Sequence, residues 1–252
     1  MITQPRVLLV DDVPGERANF LQAFGSGLTV APHIQRLNEQ LAAGQRWDVA
    51  FVDFHLTSPT NTGLTALLRL SHERPECRLV TYSQFTESGR TLYAAAARHW
   101  FGANALLDKT RNEPARLTQY VQAVLHGQDP TPQPWQQRLE YAGLIDSLLA
   151  EPSWVAIWAA IREASGEMSR VANILQVQVT SLRTFKDRAT NAAILFNEKF
   201  HDIPNPGDTR NKKGILSSFA SEHRHFLMAP DLSMVMSPGT RRRPSPRRQP
   251  VR

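Results

Sequence analysis

The chain contains one cysteine, Cys77, so it can form no internal disulfide and has too few thiols for a cysteine-built zinc site. No apolar run approaches the roughly 18 residues that a membrane-spanning helix requires, and no membrane partner is expected. No basic stretch followed by an apolar segment and a cleavage site opens the chain, so a cytoplasmic location is the expectation. The first strand-like segment is not followed by a glycine-rich turn, which excludes a nucleotide-binding loop of the common kinds. Acid is also lacking at the end of the chain, where residues 241 to 252 (RRRPSPRRQPVR) carry six Arg and no Asp or Glu. Because the whole chain has a formal charge of +6, the remaining 240 residues sum to zero. The basic character therefore sits in a Pro/Arg tail that cannot bury apolar surface and is expected to be disordered. Such a tail can attract nucleic acid nonspecifically or simply aid solubility.

What is present begins with Val7-Leu8-Leu9-Val10-Asp11-Asp12, a short apolar run that stops at two adjacent carboxylates. A continuous Val/Leu run is the pattern of a parallel strand buried on both faces, and ligands in open α/β sheets bind beyond the carboxyl ends of such strands. The pattern returns in VAFVD, ending at Asp53, and in ALLDK, ending at Asp108 and Lys109. Strand-like and helix-like patterns alternate five times through residue 126, which predicts a doubly wound five-stranded parallel sheet covered by helices on both faces. The Pro-rich segment GQDPTPQP then breaks the pattern, and only helical patterns follow. Four regions are expected: an α/β domain over 1–126, a linker over 127–136, a smaller all-α domain over 137–201, and an extension over 202–252 in which Ile215 to Phe226 is a helix candidate and the rest looks like tail. A single helix is predicted from Trp135 to Leu149. Trp135, Trp154 and Trp158 fall at helical spacing and are read as core.

Asp11, Asp12, Asp53 and Lys109 at one sheet edge make a specific chemistry. Mg²⁺ is a hard cation that takes oxygen ligands and keeps several waters, so two or three carboxylates with a carbonyl suit it. An Asp beside such an ion can attack a phosphoryl donor and carry an acyl phosphate. A lysine across the crevice can hold the phosphoryl oxygens, and Ser83 or Thr81 can add a hydroxyl.

With the motifs LLVDD, FVDF, RLVTYS and GANALLDK, residues 1–126 resemble the receiver domain of two-component response regulators, a flavodoxin-like fold. The resemblance implies that Asp53 is the phosphoacceptor and that Asp11, Asp12, Asp53 and the backbone carbonyl of His55 hold Mg²⁺. It further implies that Ser83 senses the phosphoryl group and Lys109 pairs with it, that a sensor histidine kinase is the partner, and that the chain is a regulator rather than an enzyme. Three departures stand out. The loop after Asp53 is about two residues longer than the pattern, some four extra residues lie between Ser83 and Lys109, and Leu106 occupies the place of a frequent aromatic.

Residues 168–183 (MSRVANILQVQVTSLR) resemble a helix-turn-helix, as in the LuxR/NarL-like output regions. Val171, Ala172 and Leu175 would face inward, Val177 would plug the turn, and Leu182 would pack the second helix. In this motif the second helix enters the major groove. The resemblance implies that Val179, Thr180, Ser181, Arg183 and Thr184 are exposed to DNA, with Lys186 and Arg188 near the phosphates. Gln176 stands where a turn glycine is usual, so a left-handed backbone there would be strained or absent. A plain helical pair forming a homodimer or protein-binding surface is the competing reading. His201, His223 and His225 are not read as a metal set. The expectation is a phosphorylation-dependent transcription regulator; the alternative is an adaptor whose helical region binds a protein.

Overall fold

The computed structural model describes residues 4–85, 90–201 and 211–237. The expected disorder of the Arg/Pro tail concerns residues outside that range. Five strands, β1 (Val7–Val10), β2 (Leu28–Ala31), β3 (Val49–Val52), β4 (Arg78–Ser83) and β5 (Ala105–Asp108), form one sheet in the order β2-β1-β3-β4-β5. Every pairing is parallel. Five helices connect and follow the strands: α1 (Pro14–Phe24), α2 (Ile34–Ala42), α3 (Gly63–Glu73), α4 (Thr91–Phe101) and α5 (Pro114–Leu125). The expected doubly wound sheet is present.

Successive side chains of a strand point to opposite faces, so the alternation within each buried run sorts the core into two layers. On one face Val7, Leu9, Phe51 and Tyr82 meet Phe20 and Phe24 of α1 and Leu117, Tyr120 and Val121 of α5. Phe20 packs edge-on against Phe51 and Tyr82, with ring centroids 5.0 and 5.2 Å away. On the other face Leu8, Val10, Ala50 and Val52 belong to a much larger cluster that continues through α2, α3 and α4 into the C-terminal helices.

Those helices are α6 (Gln133–Leu139), α7 (Ile145–Leu148), α8 (Ser153–Glu163), α9 (Met168–Leu175), α10 (Arg183–His201), α11 (Lys212–Glu222), α12 (Arg224–Leu227) and α13 (Leu232–Val235). Trp158 is completely buried among them, close to Phe185 and Phe219, and its indole N–H donates to the Leu148 carbonyl. Among the described residues no single helix is long and apolar enough to cross a membrane.

The Pro-rich segment is docked rather than loose. Thr131 is buried and its hydroxyl accepts from the Leu106 N–H of β5, while Asp129 pairs with Arg98 of α4 at 2.7 Å.

Three expectations need correction. The single helix over 135–149 is broken by a 3₁₀ turn, Ala142–Leu144, between α6 and α7. The break lets Gly143 sit against α4, where a Cβ would lie 3.5 Å from His99 Cε1. It also brings Asp146 to Trp100 Nε1 (2.8 Å) and His99 Nε2 (2.7 Å). The extension carries the expected helix as α11, but the part after it, read as tail, is core as well: Leu227, Leu232 and Val235 are fully buried. Finally, Val177 does not plug the turn after α9 but is 43% exposed. Gln176 adopts the left-handed conformation (φ 54°), and the Val177 N–H caps α9 at the Ala172 carbonyl, turning its side chain outward. A non-glycine residue in that region costs about 1 kcal/mol.

Candidate functional site

Strand register builds the site. Val10 pairs with Val52, so Asp11 and Asp53 emerge side by side from β1 and β3, and the Asp53 N–H donates to the Val10 carbonyl. Ser83 ends β4 opposite Asp108 of β5, which places Lys109 one residue beyond the same edge. No helix can continue directly from β3 here, because the chain must first cross the sheet edge. The loop from Asp53 to Thr62 does so and is tied back where the Gly63 N–H meets the Phe54 carbonyl at 2.9 Å. Gly63 is the only fit at that crossing: a Cβ there would lie 1.9 Å from the Asp53 carbonyl oxygen.

Asp11, Asp53 and Ser83 are almost wholly buried, and Asp12 is half-buried at the rim. Lys109 Nζ lies 2.7 Å from both Asp11 Oδ2 and Asp53 Oδ2. Asp53 Oδ1 accepts from its neighbour's N–H, Phe54, at 2.7 Å and from Ser83 Oγ at 2.6 Å. Asp12 Oδ2 accepts from the N–H (2.8 Å) and hydroxyl of Thr57, which fastens the β3–α3 loop to the end of β1. Of the two hydroxyls considered from sequence, Ser83 reaches Asp53, whereas Thr81 turns to the Ala105 carbonyl. His55 is exposed in the loop beside this edge.

Burial pushes the Asp11 carboxyl above its usual range, and the Lys109 ammonium opposes that rise. For Lys109, burial lowers the pKa, but the carboxylates of Asp53 and Asp11 together outweigh it and hold the ammonium above its ordinary value. Oxygen atoms of Asp11, Asp12 and Asp53 all lie within 4.8 Å of one another. Three hard oxygen donors around one point, two of them buried, fit a divalent cation, which would offset the repulsion among the three carboxylates.

Sequence reasoning missed Arg90. The residue is 9% exposed, and its guanidinium donates to Ser83 Oγ and lies 3.5 Å from Asp53 Oδ1. The available signal was a lone cation just ahead of an alanine-rich helix, in a stretch longer than the family pattern. Tyr93 was also missed; its hydroxyl donates to the Val52 carbonyl, one residue before Asp53. So was Asp231, which binds Thr62 and Thr65 at the start of α3.

Where an aromatic switch is common, Leu106 is buried, with its N–H held by Thr131 and its carbonyl by the Tyr120 hydroxyl. An aromatic contact exists elsewhere: Phe54, adjacent to Asp53, stacks on Phe226 of α12 with centroids 6.0 Å apart. His55 meets His225 at 5.5 Å.

In the helical half, Val171, Ala172 and Leu182 are buried as expected. The second helix begins as a 3₁₀ turn, Val179–Leu182, and becomes α10 at Arg183. Val179, Thr180, Ser181, Arg183 and Thr184 are exposed, and Lys186 is half-buried. Arg188 is exposed but turned back on the protein, 5.9 Å over the Trp154 ring and 3.4 Å from the Asp146 carbonyl. His201, Glu222 and His223 bring possible ligand atoms within 4.8 Å of one another, which their spacing in sequence did not suggest.

No family model matches the chain, and no curated protein matches it. Solved structures do. A structure of two RcsB dimers bound to two parallel DNAs aligns with TM-score 0.50 and 15% identity, over 87% of this chain and 99% of that one. RcsB from Salmonella enterica serovar Typhimurium, bound to promoter P1flhDC in the presence of phosphomimetic BeF3⁻, gives 0.51 and 14% over the same shares. The same protein bound to promoter rprA gives 0.50 and 16%, over 86% of this chain and 98% of that one. The shared fold therefore spans both the sheet and the helical half.

Proposed function

We propose that the protein is a phosphorylation-dependent response regulator that accepts a phosphoryl group on Asp53 and regulates transcription by binding DNA. One observation carries the first half. A buried carboxylate at a sheet edge has one oxygen held by Lys109 and the other by Ser83, beside two further acids suited to a divalent cation. A structural ion pair would need one acid for each cation; three acids beside Lys109 and Arg90 leave one carboxylate in excess, which suits a bound cation.

In this reading a sensor histidine kinase supplies the phosphoryl group, and Asp11, Asp12, Asp53 and the His55 carbonyl hold Mg²⁺. The ion, when bound, would neutralise the charge that builds up on the phosphoryl oxygens during transfer. Lys109 replaces its contact to Asp53 Oδ2 with one to a phosphoryl oxygen, and Ser83 does the same from the opposite side. The modified site then shifts an existing equilibrium between conformers. Asp53→Asn is expected to abolish Mg²⁺-dependent labelling by radioactive acetyl phosphate; acid-labile label persisting on the variant would overturn the assignment.

DNA binding rests on the exposed start of α10 and its basic face, and on the regulators of like fold whose structures contain DNA. Thr180, Ser181, Arg183 and Thr184 stand where base edges would be, with Lys186 nearer the backbone; Arg188 would have to leave Trp154 and the Asp146 carbonyl to join it. The double change Arg183→Ala, Lys186→Ala is expected to weaken DNA binding about tenfold and to flatten its salt dependence, since each lost phosphate contact removes close to one unit of slope. The measurement should use the chain shortened before residue 241, so that six tail arginines do not mask the effect. Unchanged affinity across the salt series, with capture of proteins instead, would favour the adaptor.

A further inference from the structure

The phosphoacceptor has two cations beside it where the family pattern supplied one. Lys109 holds Asp53 Oδ2, and Arg90 approaches Oδ1 at 3.5 Å while donating to the Ser83 hydroxyl that itself donates to Oδ1. The Arg90 side chain is 10% exposed and that of Asp53 4%, so this charge is committed to the site's interior rather than to its rim. Arg90 sits immediately before α4, and Thr91, Leu92, Tyr93 and Ala94 behind it are buried, which fixes the direction from which the guanidinium enters.

We propose that Arg90 is a second cationic ligand of the phosphoryl group on Asp53, binding one equatorial oxygen next to Ser83 while Lys109 binds another. This rests on Asp53 being the phosphoacceptor. In the transfer, an Asp53 oxygen forms a bond to phosphorus as the bond from phosphorus to the donor breaks. The donor is an imidazole nitrogen of a phosphohistidine or a carboxylate oxygen of acetyl phosphate, and it departs with the electron pair; an imidazole then takes a proton from solvent. No proton leaves Asp53, and the guanidinium loses none, so Arg90 contributes charge and direction only. A planar guanidinium presents paired N–H donors that match phosphoryl oxygens, and hydrogen bonds to a charged acceptor are about twice as strong as neutral ones.

The proposal has a signature that a merely structural arginine lacks. Asp11, Asp12 and Asp53 contribute three negative charges, and Lys109 and Arg90 contribute two positive ones. Removing Arg90 makes the pocket more negative, which favours a cation and disfavours an anion. Calorimetry on the full chain should follow Mg²⁺ alone, and then beryllofluoride at saturating Mg²⁺. Arg90→Gln is expected to tighten Mg²⁺ severalfold and to weaken beryllofluoride about tenfold, while Arg90→Lys keeps most of the anion affinity. Acetyl phosphate labelling of Arg90→Gln should saturate at a correspondingly higher concentration.

If Arg90→Gln binds beryllofluoride as tightly as the parent, or if both ions weaken together, the proposal is overturned. Arg90→Lys keeps the question open to measurement should Arg90→Gln fail to fold: an anion affinity in that folded variant as low as that of a pocket without the charge would also overturn it. Failure of the reading beneath the proposal looks different, because the parent protein itself would then take neither beryllofluoride nor acetyl phosphate label.

Discussion

Gly63→Ala is expected to lower the free energy of unfolding by about 3 kcal/mol or more and to cut acetyl phosphate labelling of Asp53 at least tenfold. In the first turn of an exposed helix the same change would stabilise, because alanine is a better helix former by roughly 1 kcal/mol. Here the sign reverses. The new methyl group would lie 1.9 Å from the Asp53 carbonyl oxygen, 2.8 Å from its carbonyl carbon and 3.1 Å from Phe54 Cα. All three are backbone atoms, so no side chain can swing aside. The strand end carrying the phosphoacceptor must move, and Asp53 then leaves the 2.6 and 2.7 Å contacts with Ser83 and Lys109. Urea unfolding and a labelling time course, read on the same preparation, test both halves. A folded Gly63→Ala protein with parental stability would show that the crossing is not tight.

The second large effect is expected at Asp231. This carboxylate is 3% exposed and accepts from the Thr62 N–H (2.7 Å), the Thr65 hydroxyl (2.7 Å) and the Thr62 hydroxyl (3.0 Å). It thus satisfies the start of α3 from 166 to 169 residues away, in addition to the local cap that Thr62 gives Leu64. A negative charge at a helix N-terminus is favourable, and more so where water is excluded. Asp231→Ala strands several buried donors, each costing of order 1–3 kcal/mol, so a loss of about 3–4 kcal/mol is expected. Asp231→Asn keeps acceptor oxygen at the same place and should lose about half as much. Hydrogen exchange of the α3 amides reports the site directly. If α3 is as protected in Asp231→Ala as in the parent, the distant cap contributes nothing.

The sheet and most of the pocket were legible because both depend on local pattern. A parallel strand buried on two faces is apolar throughout, and the point where it meets the crevice is marked by the first charge after the run. Asp11 and Asp53 announced themselves in this way, and Lys109 did so one residue beyond Asp108. Arg90 did not, since its meaning lies in Ser83 and Asp53, which reach it only through the sheet. The C-terminal extension failed for a different reason. Phe226 and Leu227 sit in α12 and Leu232 and Val235 in α13, helices of four residues each, too short for an apolar period to repeat. Gln176 shows a third limit: glycine was expected at the turn on grounds of strain, yet the helices on either side, packed through Ala172 and Leu182, impose the left-handed backbone regardless.

The apolar cluster that begins under the sheet ends only at Met236, and this bears on how the chain is made. A domain that emerges from the ribosome normally closes its core before the next one follows. Here Phe54 and Trp100 are covered by Phe226, which is synthesised one hundred residues after the fifth strand-helix unit is complete. At 5–20 residues per second the α3–α4 face stays open for roughly 5 to 20 s. During that interval Phe54 and Trp100 lack the aromatic cover that Phe226 gives them in the finished chain.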